Sequence, residues 1–142
     1  MPFLTAEEIN SHLYAEVAAE ISRDNEEHLD VAMSAAVAEA LGYLTAYDTT
    51  VIFAATGNNR NPILLLYVKD IAVWHFIQLA NPSVDMELRL KRYEQAIAWL
   101  GKVQSGKTNP ALPYPTAPVD PVSGSTENFI KWGSNAKRRN HY

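Results

Sequence analysis

The sequence predicts an all-α fold: a compact bundle of about four helices around a buried central helix over residues 61–80. A long loop (48–60) precedes that helix, and an extended Pro-rich arm follows the bundle. Three observations carry this. Residues 61–80 are the most apolar stretch of the chain, opened by Asn61 as N-cap with Pro62 at the first helical position and closed by Asn81-Pro82. Stripes of apolar residues spaced by three and four flank it on both sides. Finally, Pro110, Pro113, Pro115, Pro118 and Pro121 forbid a helix beyond the last stripe.

The first helix starts at Thr5-Ala6-Glu7-Glu8, a capping box in which Glu8 reaches back to Thr5. Its apolar residues Ile9, Leu13 and Val17 are spaced by four, and the pattern fades near Ile21. After a turn at residues 22–25, a second helix over about residues 25–47 carries the stripe Leu29, Met33, Val37, Ala40, Leu41, Leu44 and Tyr47. Glu26, Glu27 and Asp30 in its first turns complement the helix dipole. Thr49 to Phe53 favour an extended backbone and Gly57-Asn58-Asn59 a turn, in a connection long enough to serve partner contact.

The central helix is apolar around nearly its whole circumference, which predicts that other helices wrap it. Lys69, Asp70 and His75 break it short of the ~20 clean apolar residues a bilayer span needs. Ser83 caps the last helix, with Met86, Leu90, Tyr93, Ile97 and Leu100 on one stripe, Ala96, Trp99 and Val103 beside it, and Gly106 as its C-terminal cap. Residues 1–106 thus read as a helical domain and 107–142 as a polyproline-like arm with a basic, aromatic end.

At 142 residues with 47% hydrophobic and 20% charged side chains, the chain has the make-up of one soluble domain with a real core. Without cysteine there are no disulfides, thiolate catalysis or Cys-based metal sites. The start (residues 1–5) lacks a basic region before an apolar run, so no signal peptide is expected and synthesis is expected in the cytosol. The net charge of −4 divides unevenly: the arm holds Lys107, Lys131, Lys137, Arg138 and Arg139 against Asp120 and Glu127, or +3, leaving −7 on the body. Such a division favours contact between subunits or with an acidic partner over general nucleic-acid binding.

No motif supports catalysis. Residues 101–108 (Gly101 to Thr108) match the P-loop pattern letter for letter, but a helix precedes them and Asn109-Pro110 follows, the reverse of the strand–loop–helix order that lets backbone amides cradle phosphate. His12, His28, His75 and His141 form no ligand pair, and Asp24 with His28 lacks a third ligand. No nucleophile elbow or apolar-embedded carboxylate pair is present. No enzyme, cofactor or metal is expected. Asp70 shares a helical face with Ile63, Tyr67, Trp74 and Ile77, so it points inward and needs a partner. An antiparallel last helix turning near Pro82 brings Arg92 and Tyr93 into range, predicting a structural Asp70–Arg92 pair with Tyr93 as the alternative donor.

Arg23-Asp24-Asn25 leading to Leu29, the 37–47 helix, residues 67–72 (Tyr67-Val68-Lys69-Asp70-Ile71-Ala72), and residues 92–100 with Gly106-Lys107 together resemble the Mu-like prophage protein family of unknown function, grouped with head-to-tail connector (head completion) proteins of tailed phages. The resemblance spans residues 5–115. It implies a small non-enzymatic α-helical adaptor that assembles as a ring between portal and tail or neck proteins, made in the host bacterial cytoplasm and carried in the virion, without membrane or sequence-specific nucleic-acid contact. In such a ring Phe129, Ile130 and Trp132 would anchor the arm on an adjacent subunit while Lys137, Arg138 and Arg139 meet its acidic body. The rival reading is a host-encoded helical interaction or regulatory module.

Overall fold

In the computed structural model, residues 2–13, 26–80 and 86–116 are described, and among them all regular structure is helical. The elements are α1 (Ala6–His12), α2 (Glu26–Tyr43), α3 (Thr49–Ala54), a 3-10 turn (Gly57–Asn59), α4 (Pro62–Ala80) and α5 (Met86–Gln104). The three long helices pack as a bundle, with α4 touching α1, α2 and α5.

The contact between α2 and α4 sets the shape. The face that α2 buries is Leu29, Ala32, Ala36 and Ala40, continued by Leu44 after the helix. Alanines lack bulk beyond Cβ, so α4 approaches closely and fills the groove with Leu64, Val68, Ile71, Ala72 and Phe76. The stripe expected from the large residues is therefore rotated. Met33 and Val37 are half-buried at its border, and Leu41 is 42% exposed. The helix is also shorter than the expected 25–47. It ends at Tyr43, and tight turns through Leu44 and Tyr47 follow, with the Leu44 N–H donating to the Leu41 carbonyl and that of Tyr47 to Leu44.

The wrapping of α4 is partial. Its inner face is closed, while Ile63 (52%), Leu66 (48%) and Leu79 (46%) remain exposed. By length and composition alone, residues 62–79 could cross a membrane; here the helix buries Asp70 against a partner inside the bundle, the behaviour of a core helix. Asn61 caps it as expected, its Oδ1 accepting from the N–H groups of Ile63 and Leu64, each at 3.1 Å.

Other elements depart from expectation for identifiable reasons. The capping box forms, with Thr5 N–H donating to Glu8 and Glu8 N–H to the Thr5 hydroxyl. Yet α1 stops at His12, where Leu13 turns extended and buries its side chain; the rest of the expected run, residues 14–21, lies outside the described residues. Residues 49–53 are helical, not extended. Asp48 accepts from Val51 N–H at 3.1 Å, and the short helix tucks Ile52 into the core, which outweighs the strand preference of Thr49, Thr50 and Val51. On α5, Ala96, Leu100 and Val103 are buried, but Met86 and Leu90 are exposed and Arg89 (5%) takes the inner position near the helix start.

The end of α5 is a Schellman motif. Gly106 sits at φ 74°, its N–H donating to the Val103 carbonyl (3.1 Å) and that of Lys107 to Lys102 (2.9 Å). Substituting Ala36 by Leu should overpack the α2–α4 contact and cost ~1–3 kcal/mol in urea unfolding. Val31→Ala, on the open face, should stay within ~0.5 kcal/mol of the parent.

Candidate functional site

Asp70 is buried (9% exposed), as its helical face requires, but its partner is His12 rather than Arg92 or Tyr93. His12 Nε2 lies 2.7 Å from Asp70 Oδ1, linking α1 to the middle of α4. Register explains the error. Tyr67 faces Trp99 and Trp74 faces Tyr93, ring centroids 5.0 and 5.6 Å apart, which brings Ala96 and Ile97 level with Asp70 and carries Arg92 past it. The sequence offered a signal in His12 on the face of α1 one turn beyond Glu8, but a pairing 58 residues apart has no local pattern.

Tyr93 belongs to a second polar cluster. Its hydroxyl donates to Glu39 Oε1 at 2.8 Å, and Glu39 Oε2 lies 2.7 Å from His75 Nε2. Glu39 on α2 thus ties α4 and α5 together, and the His75 ring meets Tyr93 edge-on at 6.0 Å. Burial, reinforced by the Glu39 carboxylate, pushes the Tyr93 hydroxyl up to about 12, so it stays protonated and serves as a fixed donor. Both Glu39 oxygens are engaged, which suits a brace between helices. Among the described residues, no group of three or more His, Cys, Asp or Glu is placed to hold a metal ion.

A third cluster centres on Arg60, 9% exposed, in the loop before α4. Its guanidinium makes a two-pronged pair with Glu8 and donates to the Phe3 carbonyl at 2.7 Å and, through Nε, to the Gly57 carbonyl at 2.9 Å. One side chain thereby fastens the amino-terminal strap and α1 to the loop. The Arg60 hydrogen bond holds the Glu8 carboxyl down to about 2, against the opposing effect of burial.

The P-loop-like residues lie on the last turn of α5 and its cap. The amides of Gly106, Lys107 and Thr108 donate back into the helix, and the exposed end carries carbonyls of negative dipole sign, a poor host for phosphate. The arm then docks along its own body. Asn61 Nδ2 donates to the Pro110 carbonyl and Asp48 N–H to that of Pro113, both at 2.9 Å, Leu112 is buried, and Tyr114 stacks on Tyr47 at 5.0 Å. Ala111 accepts a left-handed φ of 55° to make this fit, braced by its N–H donating to Asn109 Oδ1. The first stretch of the arm is therefore a fixed strap, and the remainder leaves from one point beside the α2–α3 turn. Phe129, Ile130, Trp132, Lys137, Arg138 and Arg139 lie outside the described residues.

Comparison with protein-family models, with curated proteins and with solved structures gives no match.

Two predictions follow from the clusters. A cycle of His12→Ala and Asp70→Ala should show ~0.5–3 kcal/mol of coupling in urea unfolding, whereas Asp70→Ala with Arg92→Ala should add within ~0.5 kcal/mol. For Glu8, the folded value near 2 lies below the ordinary 4.5, so its stabilisation is complete above 4.5 and is lost as pH falls from there toward 2. Glu8→Gln should therefore lower the urea midpoint at neutral pH, and the gap to the parent should close across that acid window.

Proposed function

We propose that this chain is a non-enzymatic structural adaptor of a tailed phage or prophage, a head-to-tail connector subunit that works as a ring between portal and tail. The single observation that carries the reading is the arm: residues 107–116 are clamped to the body at Asn61, Asp48 and Tyr47, so the chain beyond is delivered from a defined point. A clamped stem makes an extended segment useful for reaching a neighbour, because its ordering cost is already met by the fold.

The exposed apolar residues support the same use. Ile63 and Leu66 stand together on the first turns of α4, and Met86, Leu88 and Leu90 on the first turns of α5. These are places for an adjoining subunit or the portal to bury, while the three polar clusters keep the body rigid. The likeness of residues 67–72 and 92–100 to the connector-grouped prophage family supplies the biological setting.

The test is assembly. The purified chain, mixed with a tailed-phage portal protein from the same source, should co-sediment with it as a ring of many copies, visible by electron microscopy. Ile63→Asp with Leu66→Asp should weaken that co-sedimentation by about tenfold or more, the effect of losing about one buried large apolar side chain, while the melting temperature hardly moves. A chain that ignores the portal and stays single would overturn the reading in favour of a host-encoded interaction module.

A further inference from the structure

Leu29, Ala40, Leu44 and Tyr47 of the stripe that the sequence marks as core on α2 are buried, but the remainder lines a groove. Its large residues Met33, Val37 and Leu41 form one wall, and Phe3 and Phe53, packed edge to face at 5.0 Å, form the other. The groove encloses about 490 Å³, within the ~300–1,000 Å³ of sites that bury a ligand. Leu41 is 42% exposed and Met33, Val37 and Phe53 are half-buried, so this apolar lining is incompletely covered. One acidic residue, Asp30, lies in the lining, and α2 carries Glu26, Glu27, Asp30 and Glu39 without a lysine or arginine.

The chain itself holds a segment of matching chemistry. Residues 128–142 contain Lys131, Lys137, Arg138 and Arg139 and no acidic residue, and Phe129, Ile130 and Trp132 are set around the first of those lysines. An apolar wall beside a carboxylate fits an aromatic–aliphatic cluster beside an ammonium. Reach also fits. The strap fixes Tyr114 on Tyr47, close to the carboxyl end of α2, and the 12 residues 117–128 can extend about 40 Å. From Asp30 to Tyr43 the helix rises only about 20 Å.

We propose that the groove seats residues 129–132 of the same chain, with Phe129, Ile130 and Trp132 against Met33, Val37, Leu41 and Phe53, and Lys131 toward Asp30. A tether of this length gives an effective concentration in the millimolar range, so at micromolar protein the segment of the same chain wins over that of a second copy. The groove then keeps the basic, aromatic end folded back on a free subunit. The inference does not depend on the connector reading, since it concerns the chain alone.

The absence of cysteine makes the test direct. Ser34→Cys, in the groove lining, is combined with Asn128→Cys in the full chain, and bridging is followed on mild oxidation. The expected result is a bridge within one chain, at a rate independent of protein concentration. Trp132→Ala or Leu41→Glu should slow it by about tenfold. Asp30→Lys should slow it more at low salt than at high salt. Leu41 and Asp30 are both exposed, and circular dichroism with a thermal melt checks that each variant is folded. Bridging no faster than in a control pair of Glu94→Cys with Asn128→Cys, on exposed α5, would overturn the proposal. Bridging only between chains, rising with concentration, would overturn it equally and assign the groove to a second copy. Neither result bears on co-sedimentation with the portal, so the two readings fail separately.

Discussion

Everything in this fold depends on how closely α2 can lie against α4. Three alanines at the centre of the contact, Ala32, Ala36 and Ala40, leave no side chain to hold the helices apart. The larger residues of α4 fill the space, and dispersion contacts accumulate along the length of both helices. That choice has a consequence for the rest of α2. Its bulky residues Met33, Val37 and Leu41 are displaced from the core to the next face, where Pro2, Phe3, Leu4 and Phe53 reach over to them. The groove and the tight core are two results of one placement of small and large residues.

What the apolar core cannot hold is held by polar contacts. A seven-residue α1 is too short to be stable by itself, and it is secured at both ends: Glu8 to Arg60 and His12 to Asp70. Glu39 plays the same part for the long helices, bridging to His75 and Tyr93. These pairs sit partly buried, where removing one member leaves the other desolvated, so each fixes one arrangement more firmly than it adds net stability.

Local signals in the sequence translated well. The capping box at Thr5, the Asn61-Pro62 start of α4 and the Gly106 stop of α5 each depend on a few adjacent residues, and each forms. Signals that depend on distant partners did not. The expected α2 stripe shares Leu29, Ala40 and Leu44 with the buried face, but large residues dominate such a pattern, and Ala32 and Ala36 lie outside it. The sequence places the Asp70 partner on the helix that follows, but a shift in register of about one turn removes Arg92, and the actual partner His12 comes from the other end of the chain. Thr49 to Phe53 became helical because Asp48 supplied a cap and Ile52 found the core, a tertiary decision that overrode strand preference.

The same logic bears on why the arm starts where it does. Asn61 performs two tasks with one amide: its oxygen accepts from the first turn of α4 and its nitrogen donates to Pro110. Arg60, next to it, grips the amino-terminal strap that forms one wall of the groove. The start of the central helix is therefore the junction at which the strap, the arm and the core meet. A disturbance of the arm is felt at the cap of α4, and a disturbance of the groove wall is felt one residue away at Arg60. A body built this way couples both of its extensions to the core through two adjacent side chains.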